Sequence, residues 1–152
     1  MESREEKYRI LLKQVESLIE KESDLIANLS NISAAIRETF PFLWCGFYLV
    51  RGDILVLGPF QGHVACCRIG FGKGVCGTAW QEQRTLVVKN VDDFPGYIAC
   101  SSLAKSEIVV PIFAGYDVVA VLDIDSENES DFDEIDKIYL EKLAVTISTL
   151  FL

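Results

Sequence analysis

The sequence predicts an α+β domain, with a central antiparallel sheet and terminal helices packed on one face. Three observations carry this reading. Both ends of the chain place apolar residues at helical spacing, and the middle holds six short segments rich in β-branched and aromatic residues. Two of the connections between those segments are hairpin-length turns containing glycine. At 152 residues, half of them apolar and 24% charged, the chain fits one domain with ample material for a core. The expected organisation is a single domain over 1–152, with helices over 1–38, the sheet and its loops over 43–125, and a last helix over 133–150.

In the first segment Tyr8, Leu11, Leu12, Val15, Leu18 and Ile19 share one helical face. Ser23 is a candidate cap for a second helix carrying Leu25, Ile26, Leu29, Ile32 and Ile36, and Pro41 lies just beyond it. These amphipathic helices could cap the sheet or mediate a homodimer. The strand segments are 43–50, 54–60, 64–69, 85–89, 107–113 and 117–124. Arg51-Gly52-Asp53 and Gly115-Tyr116 read as hairpin connections, so neighbouring strands should run antiparallel. GKGVCGTAW, between the third and fourth strands, reads as a glycine loop opening a short helix. Val91–Ser106 is the longest irregular connection, and such loops often carry function. Ile135, Ile138, Tyr139, Leu143 and Ile147 mark the final helix.

A formal net charge of −9 opposes binding to nucleic-acid phosphates and adhesion to anionic membranes. No apolar run reaches the roughly 18 residues that span a bilayer. The charged N-terminal stretch MESREEKYRILLKQ has no signal-peptide core, so a cytoplasmic protein is expected. Its five cysteines are then not a structural disulfide framework, because cytosolic thiols are kept reduced. They are buried bystanders, metal ligands or redox groups. One histidine and no CxxC pair argue against a structural zinc tetrad.

Cys66 and Cys67 are neighbours on an expected strand, so only one of them can face a given pocket. Cys76 sits where the glycine stretch enters its helix, and backbone N–H groups there would favour a thiolate. Cys100 lies in the long loop, within FPGYIAC. Cys45 alternates with Trp44 and should point to the other face of the sheet. Cys45 and Cys67, with apolar neighbours, read as small buried hydrophobes. His63 falls in a turn and reads as a surface residue. The Gly70–Gly77 stretch lacks the GK[ST] ending of a phosphate loop.

Asp123 and Asp125 are two apart on an otherwise apolar strand and should share a face. Burying two carboxylates together is costly unless a cation or donors compensate, so they either project into solvent or face a cationic group. Trp44, Gly46 and Tyr48 also share a face. The aromatics fit either the core or a ligand wall, and the glycine between them would leave space for a ligand.

Read together, WCGFYLV (44–50), GPFQGHVACCRIGFGKGVCGTAW (58–80), NVDDFPGYIACSSLAKSEIVVPIF (90–113) and VLDIDS (121–126) resemble the free methionine-(R)-sulfoxide reductases, a branch of the GAF-domain superfamily. The specific features are three cysteines spaced by 10 and then 24 residues, Glu seven further on, and an Asp-Ile-Asp strand. The resemblance implies a GAF fold with a six-stranded antiparallel sheet. It implies thiol-dependent reduction of free L-methionine-(R)-sulfoxide, with no metal and no tightly bound organic cofactor. By matching motif, Cys100 corresponds to the nucleophile, Cys66 to the principal recycling cysteine and Cys76 to a third thiol of the relay. Glu107, Asp123 and Asp125 correspond to substrate-binding and catalytic carboxylates, and Trp44 and Tyr48 to the aromatic wall around the methyl-sulfinyl end. Cys67 and Cys45 depart from the family pattern and add thiols without removing a required group.

That chemistry suits these residue types. A thiolate attacks the electropositive sulfur of a sulfoxide while an acid protonates its oxygen. Cys100 would supply the first, and Glu107 or Asp125 the second. The resulting sulfenic acid condenses with a nearby thiol, Cys66 or Cys76, and a thioredoxin-type reductant resets the enzyme. A GAF module that binds a small molecule or senses redox state without turnover is the competing reading.

Overall fold

The sheet is assembled from hairpins that the turn glycines permit. A computed structural model describes all residues, Met1–Leu152. Its strands are β1 (Trp44–Arg51), β2 (Ile54–Gln61), β3 (Arg68–Gly70), β4 (Leu86–Val88), β5 (Ser106–Ala114) and β6 (Asp117–Ser126). They form one antiparallel sheet in the order β3-β2-β1-β6-β5-β4. Gly52 and Gly115 adopt φ of 64° and 65° in the β1–β2 and β5–β6 turns, a conformation that costs a glycine little.

The helices are α1 (Arg4–Lys21), α2 (Leu25–Thr39), α3 (Gly74–Glu82) and α4 (Glu134–Ser148). A capping box starts α1, in which Glu6 N donates to Ser3 Oγ (3.1 Å) and Ser3 N donates to Glu6 Oε2 (3.2 Å). Asp24, rather than the expected Ser23, caps α2 by accepting from Ala27 N at 2.8 Å. The carboxylate sits one residue closer to the free N–H groups of the first turn.

Strand alternation divides the apolar residues between two cores. Cys45, Phe47, Leu49, Ile108, Val110, Leu122 and Ile124 meet the apolar stripes of α1, α2 and α4 on one face. Trp44, Tyr48, Val109 and Val121 meet α3 and the long loops on the other. The stripes of α1 and α2, with Tyr8, Leu11, Val15, Leu29, Ile32 and Ile36, are thus spent against the sheet. Arg4 ties the start of α1 to α4: its guanidinium reaches Asp136 at 3.0 Å and Asp131 at 3.0 Å, and Tyr8 OH also donates to Asp136. No helix is long and apolar enough to cross a membrane.

The third strand differs from its expected span of 64–69. Residues 62–67 leave the sheet as an irregular loop after Gly62, at φ 136°, and only Arg68–Gly70 pair with β2. The alternation argument for Cys66 and Cys67 therefore lapses. Cys67 is exposed, not buried, because it precedes the short edge strand instead of lying within it.

Candidate active site

Three adjacent strands deliver the polar side chains of the site. On β1 and β6, Trp44 pairs with Asp125 and Gly46 with Asp123. On β6 and β5, Asp125 also pairs with Glu107 and Asp123 with Val109. Period-two alternation puts Trp44, Tyr48, Asp123, Asp125 and Glu107 on the face opposite the terminal helices. Over that face α3 contributes Cys76, and the connection from β4 to β5 contributes Tyr97 and Cys100.

These groups enclose a small cavity. Tyr48, Cys76, Tyr97, Cys100, Glu107, Asp123 and Asp125 all line it, and the water-accessible space inside is about 30 Å³. Cys66 stands beside Cys100 outside the lining, with its carbonyl accepting from Tyr48 OH at 2.9 Å. Trp44 stacks behind Tyr48, with ring centroids 6.0 Å apart. A larger cavity of about 380 Å³ lies between α4 and the β5 edge, but it holds no cysteine and only one carboxylate, Glu141, which already accepts from Thr85.

Burial dominates the electrostatics. Glu107 is held well above the usual carboxyl range by burial, then by the charges of Asp123 and Asp125. Asp125 is held well above it by burial and then by Asp123. Asp123 is raised by burial, against which Glu107, Cys76 and His63 act. Burial thus favours the protonated form most strongly at Glu107 and Asp125. Asp123 Oδ1 and Asp125 Oδ1 are buried without hydrogen-bond partners, so the acid wall is unsatisfied.

The thiols are not poised as the sequence implied. Cys76 is buried, and its thiol is pushed well above the ordinary value by burial, then by Asp123, Glu107 and Asp125. That outweighs the favourable N-terminal turn of α3. The half-buried Cys100 thiol is pushed up to about 12, first by burial, then by contact with Cys66, with Asp123 adding to it. Cys45 faces the helical core, as alternation requires, and burial raises its thiol far out of the reactive range.

Two further local expectations fail. Gly46 leaves no room for a ligand: a Cβ there would meet Phe60 Cβ at 2.3 Å and the Trp44 ring at 2.9 Å. Its function is to let Phe60 stack on Trp44, with centroids 5.2 Å apart. His63 is half-buried instead of a plain surface residue. Its carbonyl accepts from Trp44 Nε1 at 3.0 Å, and its Nε2 is buried without a partner. Sequence reasoning also passed over Tyr97, which lines the cavity and whose hydroxyl is raised by burial and by Glu107. The available signal was its place in FPGYIAC, three residues before Cys100.

A curled six-stranded antiparallel sheet with a loop-covered pocket on one face defines a GAF domain, and the family model described as a GAF domain matches residues 23–151. Among curated proteins, GAF domain-containing protein A of Dictyostelium discoideum is 54% identical, covering 93% of this chain and 90% of its own length. The free methionine-R-sulfoxide reductase of Saccharomyces cerevisiae is 43% identical, covering 96% of this chain and 86% of its own. Among solved structures, the free methionine-R-sulfoxide reductase of Neisseria meningitidis in complex with its substrate superposes with a TM-score of 0.97 at 49% identity, covering 99% of this chain and 92% of that one. This chain belongs to the free methionine-R-sulfoxide reductase family of GAF domains.

Proposed function

We propose that this chain reduces free L-methionine-(R)-sulfoxide to L-methionine through Cys100. The single observation that carries the proposal is the meeting, in one cavity, of a half-buried thiol with three carboxyls that have no cation. The ammonium group of a free amino acid is the missing partner for Asp123 and its neighbours. A peptide-bound residue has no such charge at that position. Docking that cation also offsets the charge of Asp123, which adds to burial and Cys66 in raising the Cys100 thiol, so binding favours the thiolate.

The Cys100 thiolate attacks the sulfoxide sulfur, and the proton for its oxygen comes from Glu107 or Asp125, the carboxyls that burial keeps protonated. Methionine leaves and Cys100 holds the oxygen as a sulfenic acid. Cys66 attacks that sulfur, water departs, and a Cys66–Cys100 disulfide forms. A thioredoxin-type dithiol in the cytoplasm then supplies the two electrons that restore both thiols. Cys76 is the third thiol of this relay, and no resident metal or organic cofactor takes part. The cavity is lined on its outer side by Tyr97, Ile98, Cys100 and Ser101 of the connection from β4 to β5, and movement of that connection would admit the substrate.

The test is methionine release from the separate R and S epimers with dithiothreitol as reductant. Turnover of the free R epimer is expected, with little on the S epimer or on peptide-bound sulfoxide. Cys100→Ser should form no methionine even in one round. Equal rates on both epimers would defeat the proposed pocket.

A further inference from the structure

We propose that Cys76, Glu107 and Asp123 form a binding site for a single zinc ion, and that zinc held there reversibly shuts the enzyme. The Cys76 sulfur and one carboxylate oxygen from each acid all lie within 4.8 Å of one another. The residues come from α3, β5 and β6, and they are only 4%, 6% and 6% exposed. Asp123 Oδ1 faces this cavity with no hydrogen-bond partner, and Asp125 Oδ1 beside it is equally unpaired. The chain's ion pairs, Arg4 with Asp131 and Asp136, Arg9 with Glu5, and Arg84 with Glu82, leave these acids untouched. A cavity of about 30 Å³ has room for an ion or a water.

The donor set selects the metal. Magnesium and calcium require oxygen ligands throughout, whereas one thiolate with carboxylates suits zinc. Zinc bonds of about 2.0–2.3 Å place tetrahedral ligands roughly 3.3–3.8 Å apart, so atoms within 4.8 Å of one another need to draw in by up to about 1.5 Å. The free oxygen of Asp125 is the natural fourth ligand. On binding, Cys76, Glu107 and Asp125 release their protons to solvent and the sulfur–zinc and oxygen–zinc bonds form, with no change of oxidation state. Four protein ligands leave no open position, so the ion blocks the site and performs no chemistry. It occupies the acids that would receive the substrate ammonium and withholds Cys76 from disulfide exchange. Inhibition rests on the reductase reading, whereas binding does not.

Cobalt(II) titration of the full chain, reduced with a phosphine, reads the site directly. One equivalent should produce a sulfur-to-cobalt charge-transfer absorption with visible bands of tetrahedral intensity, both abolished by zinc. The combined Cys66→Ser, Cys67→Ser and Cys100→Ser variant should keep this spectrum, and Cys76→Ser should lose its charge-transfer component. Asp123→Asn should weaken binding at least roughly tenfold, the loss that even an outer-shell partner typically produces. Should Cys76→Ser fail to fold, Asp123→Asn decides, and unchanged affinity overturns the site. A spectrum that survives Cys76→Ser but vanishes in the triple variant places the metal on the entrance thiols and also overturns it. In the assay, zinc should raise KM for the free sulfoxide. Cobalt binding by a protein that shows no metal-free turnover would sink the reductase reading while leaving the site standing.

Discussion

Glu107 faces Asp125 across a strand pair, and burial, then the charge of Asp123, raises both carboxyls, so ionising either one destabilises the fold. A carboxyl whose folded pKa is raised stabilises the fold below its ordinary pKa, and that contribution is lost as pH climbs through the raised value. The substrate-free protein should therefore lose stability between a pH near the ordinary carboxyl value and an alkaline pH. Glu107→Gln, which cannot ionise, should flatten that decline and gain on the order of 1 kcal/mol at the alkaline end while losing most activity. Urea unfolding of both proteins at the two pH values checks this, and a parallel decline in the variant would disprove it. At the neighbouring thiols, Cys66→Ser should still yield one equivalent of methionine but recycle poorly with thioredoxin. An undiminished steady state would pass the resolving role to Cys76.

The element that matters most to the site is α3, because it carries Cys76 over the acids. Its approach is set by Gly77. A Cβ at that position would stand 2.3 Å from the carbonyl oxygen of Gly70, a backbone atom with little freedom to retreat. Gly72 N also donates to Gly77 O at 2.9 Å, which locks the helix to the turn that follows β3. Gly77→Ala should cost about 1–3 kcal/mol, the usual range for overpacking, and should lift Cys76 away from Asp123. Thermal unfolding measures the first effect. The second would appear as faster alkylation of Cys76 in the folded protein, and an unaltered alkylation rate would show that α3 had not moved. Gly46 acts similarly in β1, where its missing side chain admits Phe60 against Trp44.

Across the whole molecule, the two ends of the chain are joined through one buried carboxylate. Asp136 accepts from the Arg4 guanidinium and Tyr8 OH, and it also accepts from Asp133 N at 2.8 Å to complete the cap of α4. Asp136→Ala would leave the buried Tyr8 hydroxyl without its acceptor and the partly exposed Arg4 with Asp131 alone. The expected loss is about 3 kcal/mol, at the low end for a broken buried pair because solvent still reaches Arg4. Asp136→Asn keeps an oxygen for Tyr8 and should cost about half as much. Urea midpoints separate the two variants, and equal midpoints would assign the effect to shape alone. Neither substitution touches the site face, so KM for the sulfoxide should be unchanged.

The sequence by itself determined the α+β architecture, the antiparallel hairpins and the two-sided sheet. Each of these follows from local periodicity and turn glycines, which need no knowledge of distant residues. It also determined that Asp123 and Asp125 share a face, that Trp44 and Tyr48 share a face, and that Cys45 points away from Trp44, because alternation along a strand is a property of the strand itself. The strength of the motif in 58–80 and 90–113 supplied the family. Only the tertiary structure decided which residues meet. The register of β5 on β6 brings Glu107 to Asp125, and the folding of the long connection brings Cys100 over both. The late start of β3 exposes Cys67, and the buried Nε2 of His63 arises from packing beside Trp44. The protonation of Cys76 likewise depends on burial among acids from other elements, which no local pattern encodes.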